Sequence, residues 1–177
     1  YGMNDRNPFQ ASAVDIAGDL GESLVFDAIE RFFKKVPRPA RIFKEVRIPN
    51  PAGGRYEIDL IVVSPHAIIA LEVKHWSGAV SEKNADTWLQ SKPHVGTEIE
   101  HKNPIKLLQT KCDALKIYLK KNSIHNFQDM PIHSFVIFTN PRASFDINIR
   151  LSSFVTIKPR IMHDLLPLLR PEGGRFE

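Results

Sequence analysis

Apolar residues recur along this chain with two different periods. Val25, Ile29, Phe32 and Phe33 share one stripe of a 3.6-residue helix, which predicts a helix opened by Gly18-Asp19-Leu20-Gly21-Glu22 and running to about Lys35. Asp19 reads as its N-cap with Glu22 at the third helical position, and Pro37 and Pro39 stop it. From Ile42 to Ile48 the period falls to two, as in a strand, and Pro49-Asn50-Pro51-Ala52-Gly53-Gly54 is a turn. Two further strands, about 56–63 and 67–76, meet at Ser64-Pro65-His66. Shorter strands are expected over 78–81 and at 88–90, and the polar stretch from Lys92 to Lys102 is expected to be a loop. Asn103-Pro104 then starts a helix reaching about Lys121, with Ile105, Leu108, Cys112, Leu115 and Leu119 as its stripe. Strands over 134–139 and 154–157 and a closing helix over 161–169 complete the order. The whole reads as one α/β domain with a mixed central sheet, spanning 1–177 with a core of about 17–160 and a flexible 1–12.

The stretch from Glu57 to His75, EIDLIVVSPHAIIALEVKH, has the composition of strands buried on both faces, yet carries Glu57, Asp59, Glu72 and Lys74. If Pro65-His66 forms a hairpin loop, residues whose numbers add to 131 face each other. Asp59 then opposes Glu72 and Glu57 opposes Lys74, all on one face. That face continues with Ile61, Val63, Ile68 and Ala70, while Ile58, Leu60, Val62, Ile69, Leu71 and Val73 line the other. The charges therefore cluster at one end of an otherwise apolar hairpin. One account is a cross-strand Glu57–Lys74 ion pair on a wet face. The other is a site. Opposed carboxylates lie ~4.5–5.5 Å apart at Cβ and resist joint ionisation unless a cation sits between them. Hard cations such as Mg²⁺ take oxygen ligands and keep several waters, so two or three carboxylates suffice. A lysine on the same face could position a water or stabilise charge on a phosphate.

Composition narrows the field without choosing. An apolar fraction of 42% with 25% charged residues is ordinary for a soluble domain. No run approaches a membrane span and no N-terminal stretch has signal-peptide order, so no membrane partner is expected. A single cysteine, Cys112, excludes an internal disulfide framework and a cysteine-rich zinc site, which points to a cytoplasmic setting. The net charge of +4 and a pI near 9.2 lean towards a polyanionic partner. Met3 is the expected natural start, with Tyr1-Gly2 an addition, and the chain is equally compatible with a fragment of something larger.

The Asp-x(12)-Glu-x-Lys arrangement with an upstream helical glutamate resembles the PD-(D/E)XK nuclease superfamily, and more narrowly the NERD (nuclease-related) domain. The resemblance is carried by residues 18–22, Tyr56-Glu57-Ile58-Asp59, Leu71-Glu72-Val73-Lys74-His75-Trp76-Ser77-Gly78, Trp88, and Asn103-Pro104 with Gln109. It implies a restriction-endonuclease-like fold, a mixed central sheet flanked by helices on an αβββαβ core. It also implies a metal-dependent nuclease, a phosphodiester hydrolase using Mg²⁺ or Mn²⁺. Asp59 and Glu72 become metal ligands, Lys74 the catalytic lysine, and Glu22 the helical acid completing the metal site. The proline usual before the first aspartate is Ile58 here. The expected partner is nucleic acid, DNA first, with a homodimer where both strands of a duplex are cut. The alternative is a catalytically inactive nucleic-acid-binding or interaction module on the same fold.

The remaining candidates each have a plain counterpart. Glu22 could be only a capping-box glutamate in a first helical turn. Gln109 could reach a phosphate or simply bond to backbone. Lys106 and Lys111 could contact a phosphate backbone, or belong to a solvated lysine face with Lys102, Lys116, Lys120 and Lys121. Trp76, on the face of Glu72 and Lys74, could stack on a base or pack at the core rim, as could Trp88. No histidine pair has metal-ligand spacing, no glycine-rich loop cradles phosphate and no nucleophile elbow is present.

Overall fold

The computed structural model describes residues 13–35, 40–92, 96–122, 124, 127, 129–146 and 155–157, with side chains from residue 20 to 31 in the first helix. Two helices and nine strands occur among them. Helix α1 is Ala13–Lys35 and α2 is Pro104–Lys121. The strands are β1 (Arg41–Pro49), β2 (Arg55–Val63), β3 (Ile68–Lys74), β4 (Gly78–Asn84), β5 (Thr87–Lys92), β6 (Thr97–Lys102), β7 (Ile132–Phe138), β8 (Ala143–Phe145) and β9 (Val155–Ile157). The closing helix expected over 161–169 and the flexible 1–12 lie outside the described residues.

Five strands form a mixed sheet in the order β1-β2-β3-β7-β9, antiparallel on the β1 side and parallel from β3 onward. Helix α2 supplies the crossover that lets β3 and β7 run parallel. A second sheet has the order β6-β5-β4-β8; its strands β4, β5 and β6 are inserted between β3 and α2, and β8 follows β7. With that insertion set aside, α1-β1-β2-β3-α2-β7 is the expected αβββαβ core, a restriction-endonuclease-like arrangement.

Each face of the first sheet carries its own core. Val25 and Ile29 of α1 pack with Leu60, Val62, Ile69, Leu71, Val73, Phe135 and Ile137. Leu108, Cys112, Leu115 and Leu119 of α2 pack on the other face with Ile61, Ile68, Ala70, Val136 and Phe138. Residues 60–63 and 68–71 follow the expected sum of 131. Beyond them the expectation fails. The ladder ends at Leu60–Leu71, so neither Asp59–Glu72 nor Glu57–Lys74 continues it. Ile58 also changes sides, joining the α2 core although Leu60 belongs to the α1 core. The change coincides with Glu45, which has a left-handed φ of 49° in the neighbouring strand, between the paired positions Lys44–Leu60 and Val46–Ile58. Backbone in that region twists a ribbon out of regular alternation.

Two other expectations are corrected. Helix α1 begins at Ala13, so Asp19 is an interior position and not its N-cap. Residues 13–17, AVDIA, contain no helix breaker and extend the helix by more than a turn. The 92–102 stretch is not all loop, because Thr97–Lys102 is β6, paired along its length with β5. Its outward positions are polar and Ile99 is its single aliphatic residue, so periodicity gave little sign of an edge strand.

Candidate active site

The charged residues of the hairpin divide between two places. Glu57 pairs with Arg47 across β1 and β2, Arg47 Nε to Glu57 Oε2 2.8 Å, on an exposed edge. That replaces the expected Glu57–Lys74 pairing. Asp59, Glu72 and Lys74 remain together where β2 enters and β3 leaves the sheet. Asp59 Oδ2 accepts the backbone N–H of Val73 at 2.7 Å. Lys74 Nζ donates to Glu72 Oε1 at 2.8 Å. Lys111, from α2, donates to the other oxygen, Glu72 Oε2, also at 2.8 Å.

Parity explains why helix α2 reaches this acid. Leu71 and Val73 point into the α1 core, so Glu72 and Lys74 between and after them face α2. Lys111 lies between Leu108 and Leu115 at spacings of three and four, on the buried stripe itself. A lysine inside an apolar stripe was the available sequence signal for this contact, masked by the many lysines on the same helix.

Burial and charge treat the two acids differently. Asp59 is held up at about 6 by burial and by the neighbouring Glu72 charge, which outweigh the Val73 N–H, Lys74 and Lys111. Burial also pushes Glu72 upward, but Lys74 and Lys111 overcome it and hold the carboxyl below its ordinary value. The result is one fully committed carboxylate, Glu72, 9% exposed, and one reluctant one, Asp59, half-buried. These are hard oxygen donors of the type Mg²⁺ and Mn²⁺ take. Among the described residues no group of three or more His, Cys, Asp or Glu is gathered at metal-binding distance.

The other candidates sit as follows. Glu22 is half-buried on α1, which packs on the opposite face of the sheet. Its neighbour Gly21 touches the end of β3 and β7: a Cβ there would lie 2.8 Å from Thr139 Oγ1 and 3.4 Å from the His75 ring. His75 Nδ1 and Thr139 Oγ1 are 2.7 Å apart, so His75 turns away from Glu72 and Lys74. Gln109 is exposed. Lys106 pairs with Asp86 in the β4–β5 turn, Nζ to Oδ1 2.7 Å. Trp88 is fully buried.

Trp76 is half-buried and stacks on His101 of β6, centroids 4.0 Å apart. Buried Gln90 fixes that histidine. Its amide nitrogen donates to the Ser77 carbonyl at 2.7 Å, so its oxygen faces His101 Nε2 at 3.0 Å and Nε2 must carry a proton. Burial, then Lys74 and Lys92, lower the basicity of His101. This wall of the site was missed because β6 was expected to be a loop.

Residues 17–139 match the family model of the nuclease-related domain, NERD. The chain belongs to that family. Its PD-(D/E)XK placement agrees with the αβββαβ core. The NERD domain is also similar to part of a Streptomyces coelicolor protein named probable kinase PglW, 33% identical over 89 residues. That similarity covers 49% of this chain and 6% of the larger protein. No helix among the described residues is long and apolar enough to cross a membrane.

Proposed function

We propose that this NERD domain is a metal-dependent phosphodiester hydrolase acting on DNA, with Mg²⁺ or Mn²⁺ held by Asp59 and Glu72. The supporting observation is the convergence of Asp59, Glu72 and Lys74 at one end of a buried hairpin, where Asp59 is pushed up to about 6. A divalent cation would relieve the repulsion between the two acids. When bound it polarises a phosphoryl oxygen and acidifies a water.

The protein's own part follows from its donors. Val73 N–H fixes the orientation of the Asp59 carboxylate, leaving its second oxygen for a ligand. Lys74 spends one of three ammonium protons on Glu72 and has two for a phosphate oxygen or the attacking water. Hydrolysis adds the water oxygen to phosphorus, breaks one P–O bond and transfers a proton to the departing alkoxide. Lys74 stabilises the charge that grows on the phosphoryl oxygens. Action on both strands of a duplex calls for two such sites, hence a homodimer, and the single buried Cys112 suits a cytoplasmic setting.

The test is cleavage of labelled linear, circular and single-stranded DNA in Mg²⁺, Mn²⁺ or EDTA, with Lys74→Ala beside the parent. Metal-dependent cutting lost in Lys74→Ala is the expected result; full activity in the mutant refutes the assignment. A second reading, a binding module without turnover, is favoured by one fact: both Glu72 oxygens are already occupied by lysines. Salt-sensitive DNA binding with no metal effect and no cleavage would select it.

A further inference from the structure

Glu72 holds an ammonium on each oxygen, and the two lysines are not equivalent. Lys74 belongs to the same strand, two residues on, whereas Lys111 reaches from α2 across 39 residues of sequence. Lys111 is the less exposed of the pair, its side chain 16% exposed against 26% for Lys74. It stands on α2 between the buried positions Leu108 and Leu115, three and four residues away, and Glu72 is the acid it reaches. A desolvated ammonium kept on one carboxylate oxygen occupies the ground a divalent cation would need. A cation such as Mg²⁺ approaches its oxygens to ~2.0–2.1 Å, so two positive centres would crowd one carboxylate.

We infer that Lys111 is the resident counter-ion of Glu72, displaced from Oε2 when a divalent cation binds and then turned to a backbone phosphate of the bound nucleic acid. This rests on Asp59 and Glu72 being the metal ligands. Lys111 stands beside the same carboxylate as Lys74, so its released ammonium stays next to the position a scissile phosphate would take. The exchange leaves the local charge less altered by metal binding than the ion's own charge would suggest, because an ammonium leaves as the ion arrives.

The experiment is calorimetry with Mn²⁺ alone on the parent, Lys111→Met and Lys111→Arg. Methionine keeps the aliphatic stem, and Lys111→Gln serves if the methionine variant does not fold. Loss of the competing charge should tighten Mn²⁺ binding by about tenfold in Lys111→Met, with Lys111→Arg close to the parent. A folded parent that binds no Mn²⁺ overturns the metal-site reading itself. A parent that binds Mn²⁺ while Lys111→Met binds it equally or more weakly overturns the exchange and leaves the metal site standing. Duplex DNA binding then supplies the second half. With Ca²⁺ present, the salt slope of Lys111→Met should be shallower than the parent's by about 0.9, one phosphate contact. Without a divalent ion the slopes should coincide. An equal difference in both conditions would show Lys111 on phosphate without any exchange and would overturn the proposal.

Discussion

Asp59 Oδ2 lies 2.7 Å from the backbone nitrogen of Val73, where a continued β2–β3 ladder would have offered a carbonyl. A side chain thus completes the edge of the ladder, and it is one that burial and Glu72 make reluctant to ionise. Its folded value of about 6 stands above the ordinary 3.8, so this group favours folding most below pH ~4 and loses that contribution as pH rises through 6. Glu72 has the opposite sign, with a contribution present above its ordinary 4.5 and lost in more acid solution. In the metal-free protein the Asp59 contribution should therefore fall away between about pH 4 and 7, against the opposite contributions of Glu72 and His101. Asp59→Asn, which keeps an acceptor for Val73, should abolish that loss and gain on the order of 2–3 kcal/mol at pH 7. Urea midpoints across this range check it, and a mutant with the parent's pH slope would show that Asp59 is not the group responsible.

Glu72→Ala should cost more stability than either lysine replacement. Removing the acid orphans two poorly exposed ammonium groups together, at about 3 kcal/mol, whereas removing one lysine leaves the acid its other partner. Denaturant titration of the three single mutants orders them. Equal losses would mean that the two pairs are independent surface bridges.

Gly21→Ala should destabilise by roughly 1–3 kcal/mol, because its Cβ would arrive 2.8 Å from Thr139 Oγ1 while that oxygen is engaged with His75. In a Thr139→Ala background much of the penalty should disappear. A double-mutant cycle with no coupling would place the strain elsewhere in α1.

Gln90→Leu should cost about 1–3 kcal/mol by leaving the Ser77 carbonyl and His101 Nε2 without their partner. The same change should free the His101 ring from its fixed tautomer. Proton and nitrogen NMR of the imidazole would report the change, and an unaltered Nε2–H tautomer would contradict the assignment.

The hairpin explains how much of this was legible in advance. The sum of 131 held for 60–63 with 68–71 because burial on both faces ties register to alternation. It failed at Asp59 because a left-handed residue on β1, Glu45, breaks alternation in the adjoining strand, and no pattern in β2 itself announces that. Helix α2 was readable to the residue, with Asn103-Pro104 at one end and Lys121 at the other. The start of α1 was not, because Asp19 is an acceptable cap in a sequence that is also acceptable helix. The proximity of Asp59, Glu72 and Lys74 was legible in the hairpin although their register was not, while Lys111 and His101 depend on how separate elements pack, which one-dimensional spacing does not encode.

Asn103 shows how narrowly a cap can be specified. Its Oδ1 accepts from Ile105 N and Lys106 N, the ordinary work of a helix N-cap. Its Nδ2 donates at the same time to the Ala85 carbonyl in the β4–β5 turn, and its backbone N–H donates to Asp86 O. Aspartate would cap the helix as well but would turn an oxygen towards that carbonyl, and serine has one polar atom for a two-sided task. Of the good capping residues only asparagine carries its acceptor and its donor on two separate atoms of one short stem. The residue therefore acts as a rivet between the inserted sheet and the helix bearing Lys111, so the insertion is part of what aims that lysine at Glu72.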